Sequence, residues 1–191
     1  MGTTTCALAL SNYINNKLGE KVAYIELNGT DEIACLSKKK EQKPFSYYGI
    51  AMYPSITMRN LETIFSFHFS YFILDMGAWN PNTISTFWRS DLCLIMCSLS
   101  PWQKSNREEF MKKLPENNIL NQEKVILLAN LGIKEQLAAF KQNIFHDVRC
   151  FPYLPNPFRL TPKDWPFFET LLTGRIYHNY CKRGHFYDDK N

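Results

Sequence analysis

The sequence predicts a three-layer α/β domain built on a mostly parallel sheet. Strand-like and helix-like runs alternate along the chain, the pattern that generates βα units and a parallel sheet. Two of the strand-like runs, DLCLIMCSLS (91–100) and KVILLAN (124–130), are apolar almost throughout, as strands covered on both faces are. The length, 191 residues with 45% hydrophobic, suits one domain that buries its own core.

The elements follow in order. Residues 4–18 carry Ala7, Leu10, Ile14 and Leu18 at helical spacing. Thr3 or Thr4 is the expected N-cap and Gly19 the left-handed C-cap. KVAYIELN (21–28) is a β-branched and aromatic strand, and residues 45–54 read as a second, more exposed one. Residues 56–67 form an amphipathic helix, and YFILD (71–75) is a short apolar strand ending in an acid. A short helix at 80–90 precedes the strand at 91–100. Pro101 then opens a helix at 101–116. After the strand at 124–130 come a helix at 133–145, a last strand at 148–155 and a terminal helix at 162–180. Residues 1–176 form the expected domain and 177–191 a polar tail.

Composition narrows the function classes. The net charge of +4 is too mild to imply nucleic acid, and SKKKEQK (37–43) reads as a solvated loop. Cys93 and Cys97 lie in an apolar run as small core residues, and no C-x-x-C pair occurs among the six cysteines. The expected setting is a reducing cytoplasm. No signal peptide opens the sequence, and no apolar run reaches the roughly 18 residues of a membrane span.

In parallel sheets, ligands sit beyond the C-terminal strand ends. That rule selects 26–29, 75–77, 98–102, 130–132 and 152–155. Gly2-Thr3-Thr4-Thr5 directly precedes a helix, as in the second half of a phosphate-binding loop. There, backbone N–H groups at a helix N-terminus hold phosphate oxygens, a lysine neutralises charge, and a Ser/Thr hydroxyl holds Mg²⁺. Asp75 is the candidate second acid at another strand end.

On these residues the chain resembles the MinD/ParA-type P-loop ATPases, especially the TadZ/CpaE-like branch. GTTTCALALSNYINNKLGEKVAYIELN is similar to the family's loop, first helix and second strand. YFILDMG resembles its Walker B strand, FWRSDLCLIMCSLSPW the next core strand, and VILLANLG the strand ending in a base-contacting Asn. CFPYLPNPF resembles the loop that closes over the base. The likeness spans about residues 2–158. It implies that Gly2 precedes the lysine position, that Thr3 occupies that position, and that Thr4 is the Mg²⁺-binding hydroxyl. It implies Thr5, Asp75, Asn130 and Pro152 as further nucleotide-site positions, with Thr4 and Asp75 holding Mg²⁺ where ATP or ADP binds.

Three departures from the family bear on activity. Thr3 stands where a lysine belongs, and the family's first strand and the front of its loop have no counterpart in these residues. Glu26-Leu27-Asn28 replaces a usual Asp-x-Asp. A neutral hydroxyl stabilises phosphate charge far less than an ammonium does. The sequence therefore points to P-loop NTPase topology lacking the first strand, in a degenerate, non-hydrolysing positioning or scaffold protein. Its expected partner is another protein or a second copy, with no nucleic acid and no membrane. The contrasting reading is an active ATPase whose loop is completed upstream of Met1. In the family the missing strand lies between the strands at 71–75 and 92–98. Three arrangements answer its loss: direct pairing of those neighbours, a strand from another chain, or upstream residues.

Other residues have plainer readings. His178, Cys181 and His185 match no standard zinc spacing. Cys6 reads as an inert buried thiol, and Trp102 as an aromatic packed on the sheet edge. Trp165, Phe168, Leu171, Leu172 and Ile176 share a helix face that suits core packing.

Overall fold

The structure, a computed structural model, describes residues 2–37, 42–113, 124–130, 134–142 and 147–182, without the side chains of 113, 134–135, 142 and 174–182. Helix α1 (Thr3–Asn12) continues as a π-helical turn at Tyr13–Lys17. Strand β1 (Val22–Glu26) follows, then a 3₁₀ turn at Ile33–Leu36. Next come β2 (Phe45–Tyr47), β3 (Ile50–Tyr53), α2 (Met58–Phe65), β4 (Tyr71–Asp75) and α3 (Ile84–Arg89). The remainder is β5 (Cys93–Ser98), α4 (Lys104–Lys113), β6 (Val125–Asn130), α5 (Lys134–Gln142), β7 (Asp147–Cys150) and α6 (Trp165–Lys182).

The α/β alternation and the parallel pairing hold as expected. β1 pairs in parallel with β3 and β4, and β6 with β5 and β7; among the described residues only β2–β3 is antiparallel. Residues 45–54 are not one strand but a hairpin. Tyr48 and Gly49 both sit at positive φ (50° and 81°), the backbone of a two-residue hairpin turn. Tyr48 gives no sequence warning of it, since bulky residues seldom adopt that conformation. At the other end of α1, Gly19 has the positive φ expected of a C-cap.

The sheet falls into two parts. One has the order β2-β3-β1-β4 and the other β5-β6-β7. β4 and β5 are not paired with each other, which excludes direct closure of the gap. On one face a single apolar cluster spans both parts: α1, Ile73 of β4, Leu94 and Met96 of β5, Ile126 and Leu128 of β6, and Phe168 and Leu171 of α6. On the other face the core is divided. Ile25, Leu61 and Phe72 belong to one cluster, and Ile95, Leu127 and Phe140 to another. Helices thus cover both faces, giving the three layers.

Other expectations are settled by burial. Cys6, Cys93 and Cys97 are buried. Trp102 is 81% exposed, so it does not pack on the sheet edge; the 3₁₀ turn opened by Pro101 carries it outward. Phe168 and Leu171 are fully buried, which places the face of α6 in the core. His185 lies outside the described residues, as do the side chains of His178, Cys181 and Ile176.

Candidate functional site

The start of α1 meets the C-terminal ends of strands from both half-sheets. Gly2 is the N-cap, at φ 105°, and no side chain caps the helix. The threonine cap expected from the sequence is absent because the helix begins at Thr3, which puts Thr3 and Thr4 inside its first turn; the Thr4 hydroxyl turns to a strand end. It donates to Asp75 Oδ2 at 2.7 Å. A Cβ at Gly2 would lie 3.1 Å from Asn130 Nδ2 and 3.2 Å from Met96 Cε. The predicted residues Gly2, Thr4, Asp75 and Asn130 therefore gather at one place, with Thr3 and Thr5 half-buried beside them. Pro152 is also half-buried, on a loop tied to β6 by the Phe151 N–H bond to the Ala129 carbonyl (2.8 Å).

Asp75 is the hub. Its carboxylate is fully buried. Besides Thr4, Oδ2 accepts from the Tyr24 hydroxyl at 2.7 Å and from Asn28 Nδ2 at 3.1 Å. Oδ1 accepts from the Gly77 N–H at 3.1 Å. Four donors thus answer a buried charge, which is what makes its burial tolerable. The sequence reading missed Tyr24 and Gly77 as site residues. Tyr24 looks like one more apolar strand residue; its polar tip matters only because β1 lies beside β4.

A second buried acid, Glu26, organises the loops around the hub. Its Oε1 accepts from the Glu32 N–H at 2.9 Å, and its Oε2 from the Ser55 N–H at 3.1 Å. Asn28 Oδ1 accepts from the Thr30 N–H at 2.9 Å. Asp31 accepts from Gln42 Nε2 and Ser55 Oγ, both at 2.8 Å, and these bonds hold its carboxyl below the usual range. Strand end, 3₁₀ turn and the loop before α2 are therefore locked together by carboxylates.

Gly77 sits at φ 62°, where a Cβ would stand 2.6 Å from Asn28 Cβ. Gly77→Ala is expected to cost about 2–4 kcal/mol, through left-handed strain and displacement of Asn28 from Asp75. Urea denaturation checks this. In an Asn28→Gly background the loss should shrink; equal losses in both backgrounds would refute the clash.

Burial, with the Asp75 charge second, pushes the Cys6 thiol from 9.0 up to about 12. The Tyr24 hydroxyl is pushed well above 10.0 for the same reasons in the same order. Both groups have folded pKa values above their unfolded ones. Their contribution is intact below pH 9 and is lost as pH rises, first through Cys6 and then through Tyr24. The expected slope is up to about 1.4 kcal/mol per pH unit for each group. Cys6→Ala should flatten the fall in urea midpoint between about pH 9 and 10; an unchanged slope would contradict it.

Thr4 and Asp75 are the residues here that would hold the Mg²⁺ of a nucleotide. Thr4 and Asp75 are adjacent, as a metal-holding pair must be, but three protein donors crowd Asp75 Oδ2. A cation there would share Asp75 with these donors, through Oδ1 or the Thr4 hydroxyl oxygen. No group of three or more His, Cys, Asp or Glu suited to a metal occurs among the described residues. No helix among them is long and apolar enough to cross a membrane.

No protein-family model matches the sequence, and no curated protein matches it. Solved structures do. A chain from Borrelia burgdorferi B31 described as a plasmid partition protein, bound to AMPPNP, matches with a TM-score of 0.63 at 14% identity, over 93% of both chains. A ParA family ATPase from Chlorobium tepidum matches at 0.55 and 14%, over 96% of this chain and 88% of that one. The MinC:MinD cell division complex of Aquifex aeolicus matches at 0.56 and 15%, over 92% and 90%. At such identities the likeness concerns the fold alone, and the fold is that of the ParA/MinD-like P-loop NTPases.

Proposed function

We propose that this chain is a non-hydrolysing member of the ParA/MinD-like group, of the TadZ/CpaE kind, acting in the cytoplasm as a positioning or scaffold factor through protein–protein contacts. The carrying observation is the Asp75 hub. The carboxylate that would serve a metal is instead bonded by Thr4, Tyr24, Asn28 and Gly77. It acts as a strut between α1, β1 and β4. Thr3 at the lysine position adds to this reading, because transition-state charge on a phosphoryl group needs cationic stabilisation. A protein partner is in keeping with the MinD structure solved as a complex with MinC; a homodimer is the other partner this reading allows. Residues 1–176 would form the functional unit.

Calorimetry with ATP and Mg²⁺ tests the proposal. The expected result is no binding tighter than about 10 μM and no phosphate release. The adjacency of Thr4 and Asp75 favours one second reading, an active ATPase whose loop is completed by residues upstream of Met1. Tight binding of ATP or ADP with Mg²⁺, lost in Thr4→Val, would establish that reading and end the first.

A further inference from the structure

The far end of the first helical segment, roughly 20 Å along its axis from Thr4, borders a second pocket. There the π-helical turn at Tyr13–Lys17 meets the loop carrying Phe158 and Leu160 and the start of α6. Between them lies a pocket of about 110 Å³. Phe158, Leu160 and Trp165 form its apolar wall, and the helical side contributes Asn12, Tyr13, Asn16 and Lys17. Bonding from i to i+5 widens the turn, which sets Lys17 over the same pocket as Asn12. The asparagines build the frame. Asn12 Nδ2 donates to the Pro157 carbonyl at 3.0 Å, Asn16 Nδ2 to Asn12 Oδ1, and Asn15 Nδ2 to Asn16 Oδ1 at 3.0 Å.

Two groups in this pocket lack a partner. Tyr13 is only 3% exposed. Its ring stacks on Phe168, but its hydroxyl makes no hydrogen bond among the described residues. Buried tyrosine hydroxyls are seldom left so. Burial, with the Glu169 charge second, holds its pKa above the ordinary 10.0, so the hydroxyl keeps its proton and is a donor without an acceptor. Lys17 is the other group. It is exposed and in no ion pair among the described residues, and its ammonium lies 4.4 Å from the centre of the Trp165 ring. A ring face attracts that charge without neutralising it. Charge around the pocket is positive on balance. Lys17, Arg159 and Lys163 outnumber Asp164 and Glu169. The Asp164 carboxylate is already taken by the Thr161 N–H at 2.7 Å and the Thr161 hydroxyl at 2.8 Å. Glu169 is exposed and makes no bond to Tyr13.

We propose that this pocket binds a carboxylate carried on a branched apolar body of about four carbons. The Lys17 ammonium and the Tyr13 hydroxyl take the carboxylate oxygens in charge-assisted hydrogen bonds. The body lies against Phe158, Leu160 and Trp165. A purely apolar ligand would leave the Tyr13 hydroxyl as unbonded as before, and a bare inorganic anion has nothing to set against the apolar wall. The volume limits the body. A cavity of about 150 Å³ takes a benzene ring, so one of about 110 Å³ takes something smaller. A free organic acid and a polypeptide chain end with a branched last residue share this chemistry. The site is separate from the Thr4 and Asp75 group, and it goes beyond the scaffold reading without resting on it.

The test titrates the purified chain with isovalerate and follows the ring signals of Tyr13 and Trp165 by NMR. The expected result is saturable shifts at both rings with a Kd of about 1 mM. Isovaleramide has the body without the charge, and acetate the charge without the body; each should bind at least about tenfold more weakly. Lys17→Met and Tyr13→Phe should each weaken isovalerate binding about tenfold. Tyr13→Phe should also leave the urea midpoint where it was, because the hydroxyl has no partner in the fold to lose. A lower midpoint would mean that the hydroxyl is already bonded, and the donor role would go. No shift at about 20 mM isovalerate, acetate binding as well as isovalerate, or full affinity in either variant overturns the site. A peptide ending in leucine with a free carboxylate separates the two sources. Tighter binding than isovalerate assigns the carboxylate to a chain end, and equal or weaker binding to a free acid. None of these outcomes depends on nucleotide, so the calorimetric result stands or falls separately.

Discussion

Asp75→Ala is expected to lower the unfolding free energy by about 3–5 kcal/mol, among the largest losses from a single polar substitution in this chain. The change removes no large apolar volume. It strands four donors at the junction of α1, β1 and β4: the hydroxyls of Thr4 and Tyr24, the Asn28 amide and the Gly77 N–H. Tyr24 is fully buried and has no water to turn to, so its unpaired hydroxyl alone costs about 1–3 kcal/mol. Asp75→Asn keeps the shape but turns an amide donor toward two hydroxyls, and should cost about 2–3 kcal/mol. Tyr24→Phe and Thr4→Val should each cost about 1–2 kcal/mol, and less in the Asp75→Ala background, because the bonds share one acceptor. Urea denaturation of the four variants reads all of this. A loss below about 1 kcal/mol for Asp75→Ala would mean that the carboxylate is not a strut, and the reading of a spent metal position would fall with it.

The same residues show what a sequence can disclose. YFILD was legible to its last residue: the observed β4 is Tyr71–Asp75, because a short apolar run ending in an acid has few alternatives in an α/β chain. The convergence of Gly2, Thr4, Asp75 and Asn130 was legible too, since strand ends and a helix start on one edge must meet. What Asp75 bonds to was not legible. Tyr24 differs from a core phenylalanine by one oxygen, and that oxygen matters only in the register that sets Glu26 opposite Asp75. The turn at Tyr48-Gly49 was hidden because it places an aromatic residue where Asn or Asp is usual. Trp102 was misjudged because an aromatic at a helix start says nothing of which way the preceding proline turns the chain. The division of the sheet is a matter of topology; no single residue of β4 or β5 signals that the two are not paired with each other.

Phe168→Ala is the second large loss, expected at about 3–5 kcal/mol. Phe168 is fully buried and is held by rings on two sides. It stacks on Tyr13 with centroids 5.6 Å apart and meets Phe167 edge-on at 5.2 Å, and Phe167 in turn meets Phe151 at 5.7 Å. These contacts fix α6 to the π-helical turn that follows α1 and to the loop after β7. Truncating the ring opens a cavity in the one cluster that spans both half-sheets, so little around it is free to collapse. Phe168→Leu, which refills much of the volume, should cost about 1–2 kcal/mol. Tyr13→Leu combined with Phe168→Ala should cost less than the sum by about 0.5–1.5 kcal/mol, the coupling expected of a stacked pair. The outcome also decides what α6 is for. A helix whose apolar face served a membrane would lose vesicle binding and keep its fold when Phe168 is cut back; a core helix loses its fold stability and has no vesicle binding to lose. Unchanged stability in Phe168→Ala, together with sedimentation of the parent chain on lipid vesicles, would remove α6 from the core.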